Sequence, residues 1–251
     1  MKNKKIGMVN TEDFQQGIKK ALAGTDKKAR SGWAHRLLFS TEKNNLNIVG
    51  CSDNQIAVAT MDIDGGEVET CRIFLALEQV KELQEFLSLQ ICEKVTLYTK
   101  REFFFTVGSL YAQIELKADP DINYPNWKGV LKTQQEACFT CGKKELQISI
   151  KKALAENKKI KAVVGTTLNV TSKGAVFGDV EPLFCDVQGD FSAYLNLKRF
   201  LSGVKVMNNK KITVYYGKIS RGKVFYLLED NFKFILLCMI KNPKKSTFKE
   251  V

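Results

Sequence analysis

The sequence predicts an α+β protein of two tandem domains, each with two helices packed on an antiparallel sheet. Three observations carry the prediction. Segments recur in the same order in both halves, apolar residues switch between helical and strand periods, and turn-forming residues separate short strands. A strictly alternating strand-helix order, which would imply a parallel sheet, is absent. The joint is expected between residues 119 and 134, giving domains 1–121 and 122–251, with 241–251 a basic tail.

Each element is legible in turn. Phe14-Gln-Gln-Gly-Ile18-Lys-Lys-Ala-Leu22 recurs as Leu146-Gln-Ile-Ser-Ile150-Lys-Lys-Ala-Leu154, an offset of 132 residues. Apolar side chains at i, i+4 and i+8 mark one helical face, and Thr11-Glu-Asp offers an N-cap region. Leu46-Asn-Ile-Val pairs with Leu168-Asn-Val-Thr, offset by 122, as half-buried strands. A second helix is expected over Ile73–Leu87 and again over Ala193–Leu201, offset by 120. Lys94-Val-Thr-Leu-Tyr98 and Lys211-Ile-Thr-Val-Tyr215, offset by 117, are rich in β-branched and aromatic residues. Two closing strands follow in each half: Phe103–Val107 with Tyr111–Leu116, and Val224–Leu228 with Phe232–Ile240. Glu42-Lys-Asn-Asn45 and Ser172-Lys-Gly174 supply turns.

Composition narrows the function. The chain holds 39 Lys and Arg against 27 Asp and Glu, a formal charge of +12, and this surplus favours a polyanionic partner such as nucleic acid. No run approaches the length needed to cross a bilayer, and no apolar stretch follows the basic N-terminus, so neither a membrane span nor a signal peptide is expected. Seven scattered cysteines fit reduced thiols better than a disulfide framework, and the expected location is cytoplasmic.

Catalytic patterns are weak. The single histidine, His35, reads as a polar residue at a strand start. Cys138-Phe-Thr-Cys141 has the CxxC spacing, but no second ligand pair completes a zinc set, and alternation puts the two cysteines on opposite strand faces. Gly217-Lys-Ile-Ser-Arg-Gly222-Lys223 lacks the spacing of a phosphate loop, and Met61-Asp62-Ile-Asp64-Gly-Gly66 lacks the later ligands of a calcium loop. Both read as hairpins. No enzyme, metal or cofactor is expected.

Three segments carry a family resemblance. Leu37-Leu-Phe39 with Leu46–Val58, Tyr124-Pro125-Asn-Trp127-Lys-Gly-Val130-Leu131, and Phe234-Ile-Leu-Leu237-Cys238-Met239-Ile240 resemble the second domain, the domain connector and the closing strand of the bacterial DNA polymerase III beta subunit, the sliding clamp. The family has three domains, and this chain resembles only the second and third. Its Gly-His-Arg turn is Asn54-Gln55 here, the proline of its last strand is Cys238, and its members are acidic where this chain is basic.

The resemblance implies two DNA-clamp-like domains whose helices face duplex phosphates. The basic residues so placed are Lys19 and Lys20, Lys143, Lys144, Lys151 and Lys152, and Lys198 and Arg199, with Lys205 just beyond the last helix. Helix exits add Lys27, Lys28 and Arg30, and the run Lys158-Lys159-Ile-Lys161. The second helix of the first half differs, with Glu78, Glu82 and Glu85 against Lys81. The resemblance also implies an apolar groove for polymerase and repair-factor peptides, with walls from Leu38, Ile56, Pro125, Val130, Ile235, Leu237, Cys238 and Met239. Without the family, these residues are ordinary core. A two-domain chain reaches the six domains of a clamp ring as a homotrimer, with double-stranded DNA, polymerase peptides and a clamp loader as implied partners. The alternative is a monomeric adaptor or decoy that binds clamp-interaction peptides, or the host clamp, without encircling DNA.

Overall fold

Asn10 ends the first strand and starts the first helix: its backbone is extended, and its side-chain oxygen accepts a hydrogen bond from Asp13 N at 3.0 Å. The cap thus lies one residue before the Thr11–Asp13 segment. In the computed structural model, residues 4–65, 71–100, 104–119, 123–159, 165–220 and 222–239 are described. The chain divides into two units, Met1–Pro125 and Asn126–Val251.

The first unit runs β1 (Lys4–Asn10), α1 (Thr11–Ala21), β2 (Arg36–Glu42), β3 (Asn45–Ser52), β4 (Gln55–Asp62), β5 (Arg72–Ala76), α2 (Leu77–Ser88), β6 (Lys94–Lys100), β7 (Phe104–Gly108) and β8 (Gln113–Lys117). Its strands form two antiparallel layers. One has the order β1-β6-β7-β8, and in the other β3 lies between β4 and β2, with β5 beyond β2. The core lies between these layers and the helices: Phe14 and Ile18 of α1 and Val80, Leu83 and Leu87 of α2 meet Phe39, Ile48, Leu75, Leu97 and Phe105. Tyr124 closes the unit. Its hydroxyl donates to Val49 O at 3.0 Å, and its ring lies 5.6 Å from that of Phe74.

The second unit runs α3 (Trp127–Val130), β9 (Gln134–Gly142), α4 (Lys143–Lys159), β10 (Thr166–Thr171), β11 (Gly174–Phe177), β12 (Asp186–Gln188), β13 (Phe191–Leu195), α5 (Leu197–Val206), β14 (Lys211–Ile219), β15 (Gly222–Glu229) and β16 (Phe232–Leu237). One antiparallel layer has the order β12-β9-β14-β15-β16 and the other β11-β10-β13.

Backbone pairing shows the same plan twice. Asp119 N donates to Phe74 O at 2.8 Å, and 120 residues later Met239 N donates to Tyr194 O at 2.8 Å. Each first helix is tied to the strand after the second helix, through Thr11 N to Glu93 O and Lys143 N to Lys210 O, both 2.8 Å. Met8 exchanges two bonds with Asp64 in the first unit, where the second unit pairs β9 with β12.

Two expectations are corrected. The segments Ile73–Ala76 and Ala193–Leu195 are strands, and the helices begin at Leu77 and Leu197. Ile73, Phe74 and Leu75 are all buried, which β5 achieves between two apolar surroundings while paired to β2. The change of period is set by capping: Gln79 accepts from Ala76 N at 3.0 Å, and Asn196 accepts from the Lys198 and Arg199 amides. The second correction concerns Leu46–Val49 and Leu168–Thr171. β10 pairs with β13 as β2 pairs with β5, so the counterpart of β10 is β2, not β3. Hairpin strands share one alternating pattern, and only the pairing partner tells them apart.

Candidate nucleic-acid interface

The charge of the chain is not shared between its units. Met1–Pro125 holds 16 basic against 17 acidic side chains, and Asn126–Val251 holds 23 against 10. The surplus therefore belongs to the second unit. Its helices concentrate it: α4 carries six lysines and two glutamates, and α5 carries Lys198, Arg199 and Lys205 with no acid.

The core face of α4 is Leu146, Ser149, Ile150 and Ala153. The opposite face exposes Lys144, Lys151 and Lys158 with Ile148 and Ala155 between them. A seven-residue spacing is close to two helical turns, so these lysines form a stripe with steps of about 10.5 Å along the helix. α5 packs against α4 and is fixed by its Asn196 cap and by the buried Leu197, Phe200, Leu201 and Val204. Gly203 lets α5 lie close on β16, because a Cβ there would lie 2.4 Å from the Phe234 ring. Lys198 and Lys205 are exposed on α5, and Arg199 is half-buried. Lys210 and Lys211, which no helical period marks, are also exposed where Lys210 O receives the Lys143 amide. Their position beside α4 arises from strand pairing, which composition does not reveal.

Not every expected lysine faces solvent. The Lys143 ammonium donates to Lys205 O at 3.2 Å and to Met207 O, tying α4 to the end of α5. Lys152 is exposed and lies 3.6 Å from Glu181. Lys159 is described in its helical backbone, and Lys161 and 241–251 lie outside the described residues.

The first unit presents a different surface. Lys19 is exposed in the last turn of α1, whose first turn carries the exposed Glu12 and Asp13, whereas Lys20 is 9% exposed and buried. The exposed face of α2 is Glu78, Lys81, Glu82 and Glu85. Lys27, Lys28 and Arg30 are exposed in a loop held by Asp26, which accepts from Lys28 N at 2.8 Å. A His35 ring nitrogen lies 2.8 Å from Ala29 O, so the one imidazole supports this loop.

The residues of the implied groove fall in both units. Leu38 and Ile56 are buried in the first, where Pro125 is half-buried. In the second, Val130 and Leu237 are half-buried against a cluster of Ile219, Val224, Tyr226 and Ile235. Lys233 closes this cluster by donating to Leu131 O at 2.6 Å, and burial pulls its pKa down. Cys238 is half-buried, its thiol pushed up to about 12 by burial, and Met239 is buried. Among the described residues no group of three or more His, Cys, Asp or Glu side chains is gathered for a metal, and no helix is long and apolar enough to cross a membrane.

No protein-family model matches the sequence, and no curated protein matches it either. Solved structures do. A protein of Eubacterium rectale provisionally assigned as a DNA polymerase III beta subunit is 15% identical with a TM-score of 0.81, covering 95% of this chain and 66% of that one. The Bacillus subtilis DNA polymerase sliding clamp is 12% identical with a TM-score of 0.79, covering 95% and 64%. The Thermotoga maritima DNA polymerase III beta subunit is 14% identical with a TM-score of 0.77, covering 93% and 65%. The chain thus spans slightly less than two thirds of the length of the proteins it resembles. Helices packed on antiparallel sheets, in a plan used twice, give this chain the fold of the bacterial DNA sliding clamps.

Proposed function

We propose that the chain is a non-enzymatic DNA clamp, a processivity factor that holds duplex DNA through phosphate contacts and docks polymerase peptides. The observation that carries this reading is the lysine stripe of α4 beside the cationic α5 on a sliding-clamp fold. Ammonium groups at helical spacing neutralise phosphates without reading bases, so the contact is strong, sequence-blind and compatible with sliding. Lys144, Lys151, Lys158, Lys198 and Lys205 supply it, with Lys19 and the loop of Lys27, Lys28 and Arg30 as lesser contributors. The two units correspond to the second and third domains of the clamp family, and three chains supply the six domains of a ring. Across α1, α2, α4 and α5 the basic residues still exceed the acidic by 12 to 7, so a ring lined by these helices stays cationic.

Retention on DNA tests the reading. A clamp loaded on nicked circular plasmid remains through gel filtration in high salt and is lost once the plasmid is linearised. Equal loss from circle and line overturns encirclement. Light scattering gives a second measure, with a trimer expected near three times the 28.3 kDa chain. One observation favours the monomeric adaptor instead: the acidic face of α2 would oppose phosphates in a ring. A monomer that binds a clamp-interaction peptide and leaves circular DNA freely supports that second reading.

A further inference from the structure

Strand alternation puts Cys138 and Cys141 on opposite faces of β9, and their surroundings differ. Cys138 Sγ lies 3.5 Å from Gln188 Oε1. β12 pairs with β9 in antiparallel register, Thr140 opposite Asp186 and Phe139 opposite Val187, and Cys185 directly precedes β12, so continuing that register by one residue brings Cys185 opposite Cys141. Both line one cavity of about 380 Å³, together with Thr140, Ser172, Lys173 and Phe184. Burial raises the Cys141 thiol, and neighbouring Cys185 adds to that rise. Both thiols are free.

We propose that Cys141 and Cys185 form a cross-strand dithiol that closes reversibly into a disulfide, fastening the edge strand β12 to β9. Directly opposed residues of an antiparallel pair have Cα atoms about 4.5–5.5 Å apart, inside the 4.4–6.8 Å that a disulfide spans. The oxidant is a small disulfide of the glutathione class. Cys185 is the more exposed thiol and reacts first. Its thiolate attacks one sulfur of the reagent, forming a mixed disulfide and releasing one small thiol. Cys141 then loses its proton to solvent and attacks Cys185 Sγ, releasing the second. Two protein thiols and one small disulfide thus become one protein disulfide and two small thiols, and a reducing dithiol reverses the reaction.

Burial holds both thiols above the usual range, Cys141 at about 12. The thiolate fractions are therefore small at neutral pH, and the closure rate rises close to tenfold per pH unit between 7 and 8. The link is slow to form under reducing conditions and requires a sustained oxidising shift. It would pin the segment between β11 and β12, which carries the exposed Phe184.

The test uses the full chain treated with oxidised glutathione at pH 8 and then alkylated under denaturing conditions. The seven thiols fall to five, and tryptic mass mapping finds one peptide pair joined through Cys141 and Cys185. Reduction restores seven, and the melting temperature rises by roughly 5–15 °C in the oxidised form. Cys141→Ser and Cys185→Ser each abolish the linked pair while keeping the melting temperature of the reduced wild type. Retention of all seven thiols, a stable glutathione adduct on Cys185, or a link between other cysteines overturns the proposal. If either variant fails to fold, the mapped linkage in wild-type protein decides alone.

Discussion

Lys143 and Lys144 are adjacent and chemically identical, yet they have different tasks because successive helical residues point about 100° apart. Lys143 bonds the carbonyls at the end of α5, and Lys144 opens the exposed stripe. Lys143→Met should therefore cost about 1 kcal/mol of stability, read by chemical denaturation, since a charge-assisted bond is lost at a half-buried site. The double substitution Lys151→Ala and Lys158→Ala should leave the melting temperature within a degree. It should reduce the slope of log affinity against log salt by roughly two on duplex DNA of any sequence. An unchanged slope would remove the stripe from the interface. Tyr124 supports a pH prediction at the same scale. Burial holds its phenol well above the ordinary value of 10, and Tyr194 is held at about 12. The unfolded chain ionises these phenols from about pH 10 while the folded chain keeps them neutral. Their contribution is complete below pH 10 and is lost as pH rises through the folded values. The melting temperature should fall above pH 10, and Tyr124→Phe should flatten that fall while lowering stability near neutrality through the lost bond to Val49.

At the scale of elements, the helices and strands were legible where period and caps agreed. α1 and α4 follow from their i, i+4 apolar faces, and β6 and β14 from their β-branched runs. The entry to each second helix was not, because Ile73-Phe-Leu-Ala is fully apolar and suits either a buried strand or a helix start. Pairing of β5 with β2 decided it. A close approach within the first unit is likewise a tertiary fact: a Cβ at Gly50 in β3 would lie 1.9 Å from Ala21 O at the end of α1. Because the obstacle is backbone, Gly50→Ala should cost about 2–3 kcal/mol, measured by urea denaturation. Loss of the cap in Asn196→Ala should cost about 1 kcal/mol and loosen the first turn of α5, seen as faster amide exchange at Lys198 and Arg199.

For the whole molecule, the asymmetry of charge sets the expectation that the second unit dominates nucleic-acid affinity. Reversal of the acids on α2, by Glu82→Lys with Glu85→Lys, should raise affinity for duplex DNA several-fold if that face lies near phosphates and change nothing if it does not. Affinity titrations at fixed salt separate these outcomes. The duplicated order of elements, the amphipathic helices and the basic surplus are written in the sequence, because apolar periodicity and ionisable groups are local properties that survive in the unfolded chain. The pairing of β10 with β13, the confinement of Lys143 and Lys20, and the gathering of Cys141 and Cys185 on one cavity were decided by the tertiary structure. Strand register and burial depend on residues distant in the chain, and no local pattern specifies which distant segment will supply them.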